Sequence, residues 1–163
     1  MNNKSSDEAD NKIFKIYKIY LKDVSFETPN TPDIFTVKWD PKIELQVSND
    51  STMLRKSTYE VVLSVLVTVK VGKKTAYLVE INHAGIFGLR GYTDEQLDYM
   101  LNSYCPNILY PFAREAAVGM VQKGGFEQLI LLPVDFDTLH LKQLEGARMA
   151  DEKSQEIESQ PNN

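Results

Sequence analysis

Cysteine is nearly absent from this chain: Cys105 stands alone among 163 residues. No intramolecular disulfide is possible, which suits a reducing compartment. Histidine is almost as scarce, with only His83 and His140, and neither makes a close ligand pair of the kind zinc sites show. No apolar run approaches the ~18 residues of a membrane-crossing helix. The first twelve residues, MNNKSSDEADNK, lack the apolar stretch of a secretory signal. A cytoplasmic protein without direct membrane insertion is expected. Basic residues are not in excess either. The net charge is −5, of which residues 1–12 carry −1 and residues 151–163 carry −3. The electrostatic footprint of a nucleic-acid binder is missing. Polar, acid-leaning ends bury too little apolar surface to offset the cost of ordering, so tails are expected over 1–12 and 151–163. Between them, 13–150 is the right size for one domain.

What is present is alternation. In TYEVVLSVLVTVKV, every odd position from Tyr59 to Val71 is apolar, the mark of a half-buried strand. TAYLVEINHAGIF follows, with Tyr77, Val79, Ile81 and His83 on one face and Leu78, Glu80 and Asn82 on the other. For the two apolar faces to coincide, paired residue numbers must sum to an even value, as for Val69 with Tyr77. That parity predicts an odd loop, Gly72-Lys73-Lys74, since a two-residue turn would place Val65 opposite Glu80 and put an acid into the core. Upstream, FKIYKIYLKDVSFE alternates imperfectly, ending with Val24 and Phe26 opposed to Asp23, Ser25 and Glu27. KIELQVS, with Ile43, Leu45 and Val47 on one face, predicts a short strand over 42–48.

The joining segment from Thr28 to Pro41 holds three prolines, yet carries Ile34, Phe35, Val37 and the only tryptophan, Trp39. It reads either as a lid over its own core or as one wall of a binding groove. Helices dominate the last third. Thr93 with Gln96 forms a capping-box signature, and Leu97, Met100, Leu101 and Tyr104 recur at helical spacing. Cys105-Pro106 is expected to break that helix, with Asn107 capping the next, Pro111 in its first turn and Gly124-Gly125 stopping it. Asp135 or Asp137 caps a final amphipathic helix containing Phe136, Leu139, Leu144 and Met149. Four strands followed by helices point to an α+β fold: a four-stranded antiparallel sheet with helices packed on one face.

Catalysis finds little support. Cys105 as a nucleophile would need a base, and neither histidine stands at a diagnostic spacing from it; a packed cysteine is the better reading. GIFGLRG supplies glycines but no Lys-Ser/Thr, so the phosphate-loop reading fails. No cofactor is expected. What stands out is a surface. Asp23, Ser25 and Glu27 on one strand, and Leu78 and Glu80 on another, face away from the apolar stripes. If those strands are neighbours, they make a docking patch for a basic partner.

IYLKDVSFETPNTPDIF, YEVVLSVLVTV, YLVEINHAGIF, YCPNILYPFARE and FEQLILLPVDFDTL resemble in order and spacing, from about Phe14 to Leu144, the SecB family of bacterial protein-export chaperones. The resemblance implies a homotetramer, a dimer of dimers, that holds unfolded precursor proteins without ATP and delivers them to the SecA translocase motor. It places motor docking on Asp23, Glu27, Leu78 and Glu80. Client binding falls on Ile34, Phe35, Trp39, Ile43, Leu45, Val47, Phe136 and Leu139. It places Val79, Ile81 and His83 on the face where subunits meet. The chain departs from the family's usual pattern at Glu127, Ile130, Leu132 and Asp135, and NHAGIF replaces a glutamine-rich version. The alternatives are a small cysteine-dependent enzyme or ligand-binding domain, and a holdase serving a toxin–antitoxin partner.

Overall fold

The computed structural model describes residues 11–158. Four strands, β1 (Ile13–Glu27), β2 (Pro41–Arg55), β3 (Thr58–Val71) and β4 (Lys74–Arg90), form one antiparallel sheet in the order β1-β4-β3-β2. The helices α1 (Asp94–Tyr99), α2 (Cys105–Lys123) and α3 (Phe136–Glu158) follow in sequence. The class is α+β, as expected.

The parity argument holds in an unexpected way. Val69 pairs with Tyr77 and Val67 with Val79, yet the turn has only two residues, because Val71 pairs with Lys74. A bulge at Ala76 restores the register, and Gly72 takes the positive φ of 59° that the tight turn demands. With the extra residue inserted, Ala76 and Tyr77 are both buried. Two more register shifts, at Tyr17 and Lys22, interrupt β1 and account for its imperfect alternation. β2 is about twice as long as expected, running on to Arg55, because the polar Asn49 and Ser51 occupy inner-face positions opposite Leu63 and Val61. Asn49 earns that place by donating to Asn102 at 2.9 Å.

The core lies between the sheet and α2. Val61, Leu63, Val65, Val67 and Val69 of β3 are wholly buried. So are Cys105, Leu109, Ala113, Ala117 and Val121, a strict i, i+4 stripe along α2. The two alanines let the helix lie close on β4 and β3.

The helix break at Cys105-Pro106 is not observed. A π-helical stretch, Met100–Tyr104, joins α1 to α2, and the Cys105 amide donates to the carbonyl of Met100. Widening one turn accommodates Pro106, which has no amide to donate, without ending the helix. Asn107 caps nothing, and Pro111 sits inside α2 rather than in its first turn. The other helix signals hold. Thr93 and Gln96 make both capping-box bonds, Gly125 closes α2 with φ 81°, and Asp135 accepts from the Thr138 amide at 3.0 Å. α3 continues to Glu158, past the boundary expected at 150. Of the two expected tails, residues 1–10 and 159–163 lie outside the described residues.

Candidate functional site

Two surfaces emerge, one on each face of the sheet. On the outer face, β1 and β4 are neighbours, which meets the condition for the acidic patch. Asp23 pairs with Asn82, Ser25 with Glu80 and Glu27 with Leu78. Opposed residues in an antiparallel ladder point the same way, so Asp23, Glu27, Leu78 and Glu80 share one face. Asp23, Glu27 and Glu80 are exposed and Leu78 half-buried. None of the three acids takes part in an ion pair among the described residues. Glu60, on the same face, is occupied: it accepts from Lys22 at 2.6 Å and from Tyr20. Lys22 first, then Tyr20, hold its carboxyl below the usual range. Burial, then the bond to Glu60, pushes the Tyr20 hydroxyl up to about 12.

The inner face carries the second surface. The segment joining β1 to β2 must cross from one sheet edge to the other, about 14 Å at the usual strand spacing. It does so through a short 3-10 helix at Asp33–Thr36, tied down where Asn30 donates to the Thr75 carbonyl at 2.9 Å. The segment is both lid and wall. Ile34 is sealed in the core, whereas Phe35 is 52% exposed. Phe126 anchors it, its ring centroid 5.0 Å from that of Phe35, 5.8 Å from Trp39 and 4.8 Å from Tyr77. Beyond this wall, α2 leaves the inner face of β2 uncovered. Ile43, opposite Val69, is 48% exposed and Leu45, opposite Val67, is 39% exposed. Val47 is half-buried. These are core-type residues on the core face of an edge strand with no helix over them: an open apolar trough.

Two expected groove residues are corrected. Ile34 is buried, and Phe136 is buried with its ring 5.9 Å from Tyr110, so both support the site rather than line it. Leu139 is half-buried on the docked end of α3. Two of the three residues expected at the subunit interface are corrected as well. Val79 and Ile81 are wholly buried in the core of this same chain, leaving no surface for a second copy. His83 is buried at the edge of that core, its ring 5.7 Å from exposed Phe112 and its Nδ1 without a hydrogen-bond partner among the described residues. Desolvation lowers its pKa, against an opposing pull from Glu115.

Sequence reasoning passed over Met53, which with Leu132 is among the most exposed apolar side chains. For Met53 the signal was there: it continues the odd series of β2 two steps beyond Asn49. Leu132 and Ile130 lie on the return segment after α2, alternating with buried Leu129 and Leu131.

Cys105 is wholly buried, and burial pushes its thiol up to about 12. At neutral pH it is a protonated packing group, not a nucleophile. His140 is committed elsewhere, its Nε2 3.1 Å from Asp98.

The family model described as "Preprotein translocase subunit SecB" matches residues 7–147. The chain belongs to the SecB family of protein-export chaperones. It is 50% identical to the protein-export protein SecB of Methylococcus capsulatus, over 83% of this chain and 87% of that one. To the Legionella pneumophila protein of the same name it is 48% identical, over 91% of this chain and 90% of that one. Among solved structures, the fold resembles the Mycobacterium tuberculosis SecB-like chaperone Rv1957, solved in complex with a peptide from the HigA1 antitoxin. The TM-score is 0.62 at 15% identity, covering 74% of this chain and 90% of that one. At that identity the likeness bears on the fold alone.

Proposed function

We propose that this family member works as an ATP-independent holdase in the cytoplasm. It would keep unfolded precursor proteins competent for translocation in the trough of Phe35, Trp39, Ile43, Leu45 and Val47, with Leu139 as a further contact. It would present them to the SecA motor through Asp23, Glu27, Leu78 and Glu80. The observation that carries this reading is the uncovered core face of β2. A soluble domain that leaves such residues open to water has a use for them. An extended client burying about 1000 Å² of apolar surface gains about 25 kcal/mol gross. Most of that gain is cancelled by ordering and association costs. Useful affinity without sequence specificity results, and folded proteins, having no such stretch to offer, escape.

The same logic supports assembly into a tetramer. The inner face of β1 is partly uncovered: Phe14, Ile19 and Phe26 pack on the core, whereas Ile16, Leu21 and Val24 are exposed, as is Phe112 of α2. A second copy covering that strip would bury a surface that is costly to leave in water. A holdase serving an antitoxin rests on fold likeness at 15% identity; the export reading rests on kinship at 50% and is preferred.

The test is light scattering of a reduced, unfolded precursor diluted into buffer. The full-length protein at stoichiometric amounts should suppress aggregation equally with and without ATP. Undiminished aggregation would overturn the reading.

A further inference from the structure

At the end of the sheet far from the acidic patch, the outer face holds a cavity of about 410 Å³. Lys15 and Tyr17 of β1, Lys56 and Ser57 of the β2–β3 turn, Thr58 of β3, and Gly88 and Arg90 of β4 line most of it. Its form is set by the backbone. Lys15 pairs with Gly88 and Ile13 with Arg90, which brings two cations to adjoining strands. Ser57 takes a positive φ of 57°, turning the chain so that its carbonyl accepts from the Leu89 amide at 2.9 Å and Lys56 is held at the rim. Gly88 leaves room for the Tyr17 ring, whose nearest atom is 2.9 Å from where a β-carbon would stand. Three cations thus converge with no acid in the lining, and none of them is in an ion pair among the described residues. Like charges brought together this way repel unless an anion lies between them.

We propose that this basic cavity seats the chain's own acidic N-terminal segment, Asp7-Glu8-Ala9-Asp10. Continuity and charge both favour that occupant. Ile13 is itself part of the cavity wall, and Asp10 and Asp7 stand three and six residues before it. They therefore lie within about 10 and 20 Å of it at full extension. Three acids meet three cations. Seated there, the segment would neutralise the cations at the basic end of the outer face, leaving the acidic end as its uncompensated charged cluster. The face then repels polyanions and admits basic partners. This inference stands apart from client holding and motor docking, and its test touches neither.

Zero-length carbodiimide coupling of the intact protein, followed by peptide mass spectrometry, should join Lys56 to Asp7, Glu8 or Asp10. The yield should fall severalfold in about 1 M salt, where the screening length shrinks to about 3 Å. Lys73, in the turn at the opposite end of the sheet, should couple to that segment far less. Heparin serves as the polyanion probe. The full-length triple variant Asp7→Asn, Glu8→Gln, Asp10→Asn should be retained longer than a variant with Asp151→Asn, Glu152→Gln and Glu156→Gln, which has the same net charge. Coupling of Lys56 to the C-terminal acids instead, equal coupling of Lys56 and Lys73, or equal retention of the two variants would each overturn the proposal.

Discussion

Glu27 of β1 stands directly across the ladder from Leu78 of β4, and two pairs further along, on the same face, Ser25 faces Glu80. An apolar side chain is thereby framed by carboxylates on one rigid face. Such a frame steers a basic partner in by charge and then gives it something to bury against.

Reversing Asp23→Lys or Glu27→Lys should weaken SecA binding about tenfold or more and make the remaining affinity less sensitive to salt. Suppression of precursor aggregation should be unchanged, since the trough lies on the other face. Titration by calorimetry at two ionic strengths measures the first effect. Loss of both activities together would mean that the two faces are not separate sites.

Phe35→Ala and Leu45→Asp should each weaken client binding, by about 1–3 kcal/mol for an anchor of this kind. Because Phe35 is 52% and Leu45 39% exposed, the thermal midpoint should move less than for a fully buried residue. Ile34→Ala is the contrast: its side chain is buried, so about 2–5 kcal/mol of stability should go. Thermal unfolding beside a client-binding titration separates the two classes.

Cys105 should resist alkylation by iodoacetamide at pH 8 in the native protein and react on unfolding, because its thiol is buried and pushed up to about 12. Cys105→Ala should cost about 1 kcal/mol of stability and leave client holding intact. Native labelling at the rate of a free thiol would contradict the packing assignment.

Glu60 sets part of the acid response. Lys22 and Tyr20 hold its folded pKa below the usual carboxylate value, so its contribution is present above the unfolded value of about 4.3. That contribution is lost as pH falls through the lower folded value. Glu60→Gln should therefore lower the thermal midpoint near neutrality and flatten its fall below about pH 4.5. Parallel curves for the two proteins would show that the cluster is not a source of acid sensitivity.

Much of this was legible in the chain because strands write their burial in alternate letters. Val61 to Val69, the shared face of Asp23 and Glu27, and the even parity of Val69 with Tyr77 follow from period two alone. What escaped was local and non-periodic. A bulge at Ala76 is a single inserted residue whose cost is settled by the neighbouring strand, so parity survived while the predicted loop length did not. Pro106 reads as a breaker, yet a widened turn at Met100–Tyr104 absorbs it, and no residue type announces a π turn. Ile34 and Phe35 are adjacent and equally apolar. Only the fold of the crossing segment decides that one is sealed and the other left open. Val79 and Ile81 belong to a core face that a helix of the same chain covers, and alternation cannot tell which body does the covering.

Trp39, the only tryptophan, stands in the wall of the trough and reports on it directly. Adding an unfolded precursor that lacks tryptophan should shift its emission to shorter wavelength, saturating at a fixed ratio of client to protein. The Leu45→Asp variant should lose that response. Emission that stays unchanged while the precursor is held in solution would contradict the trough as the place where clients are kept.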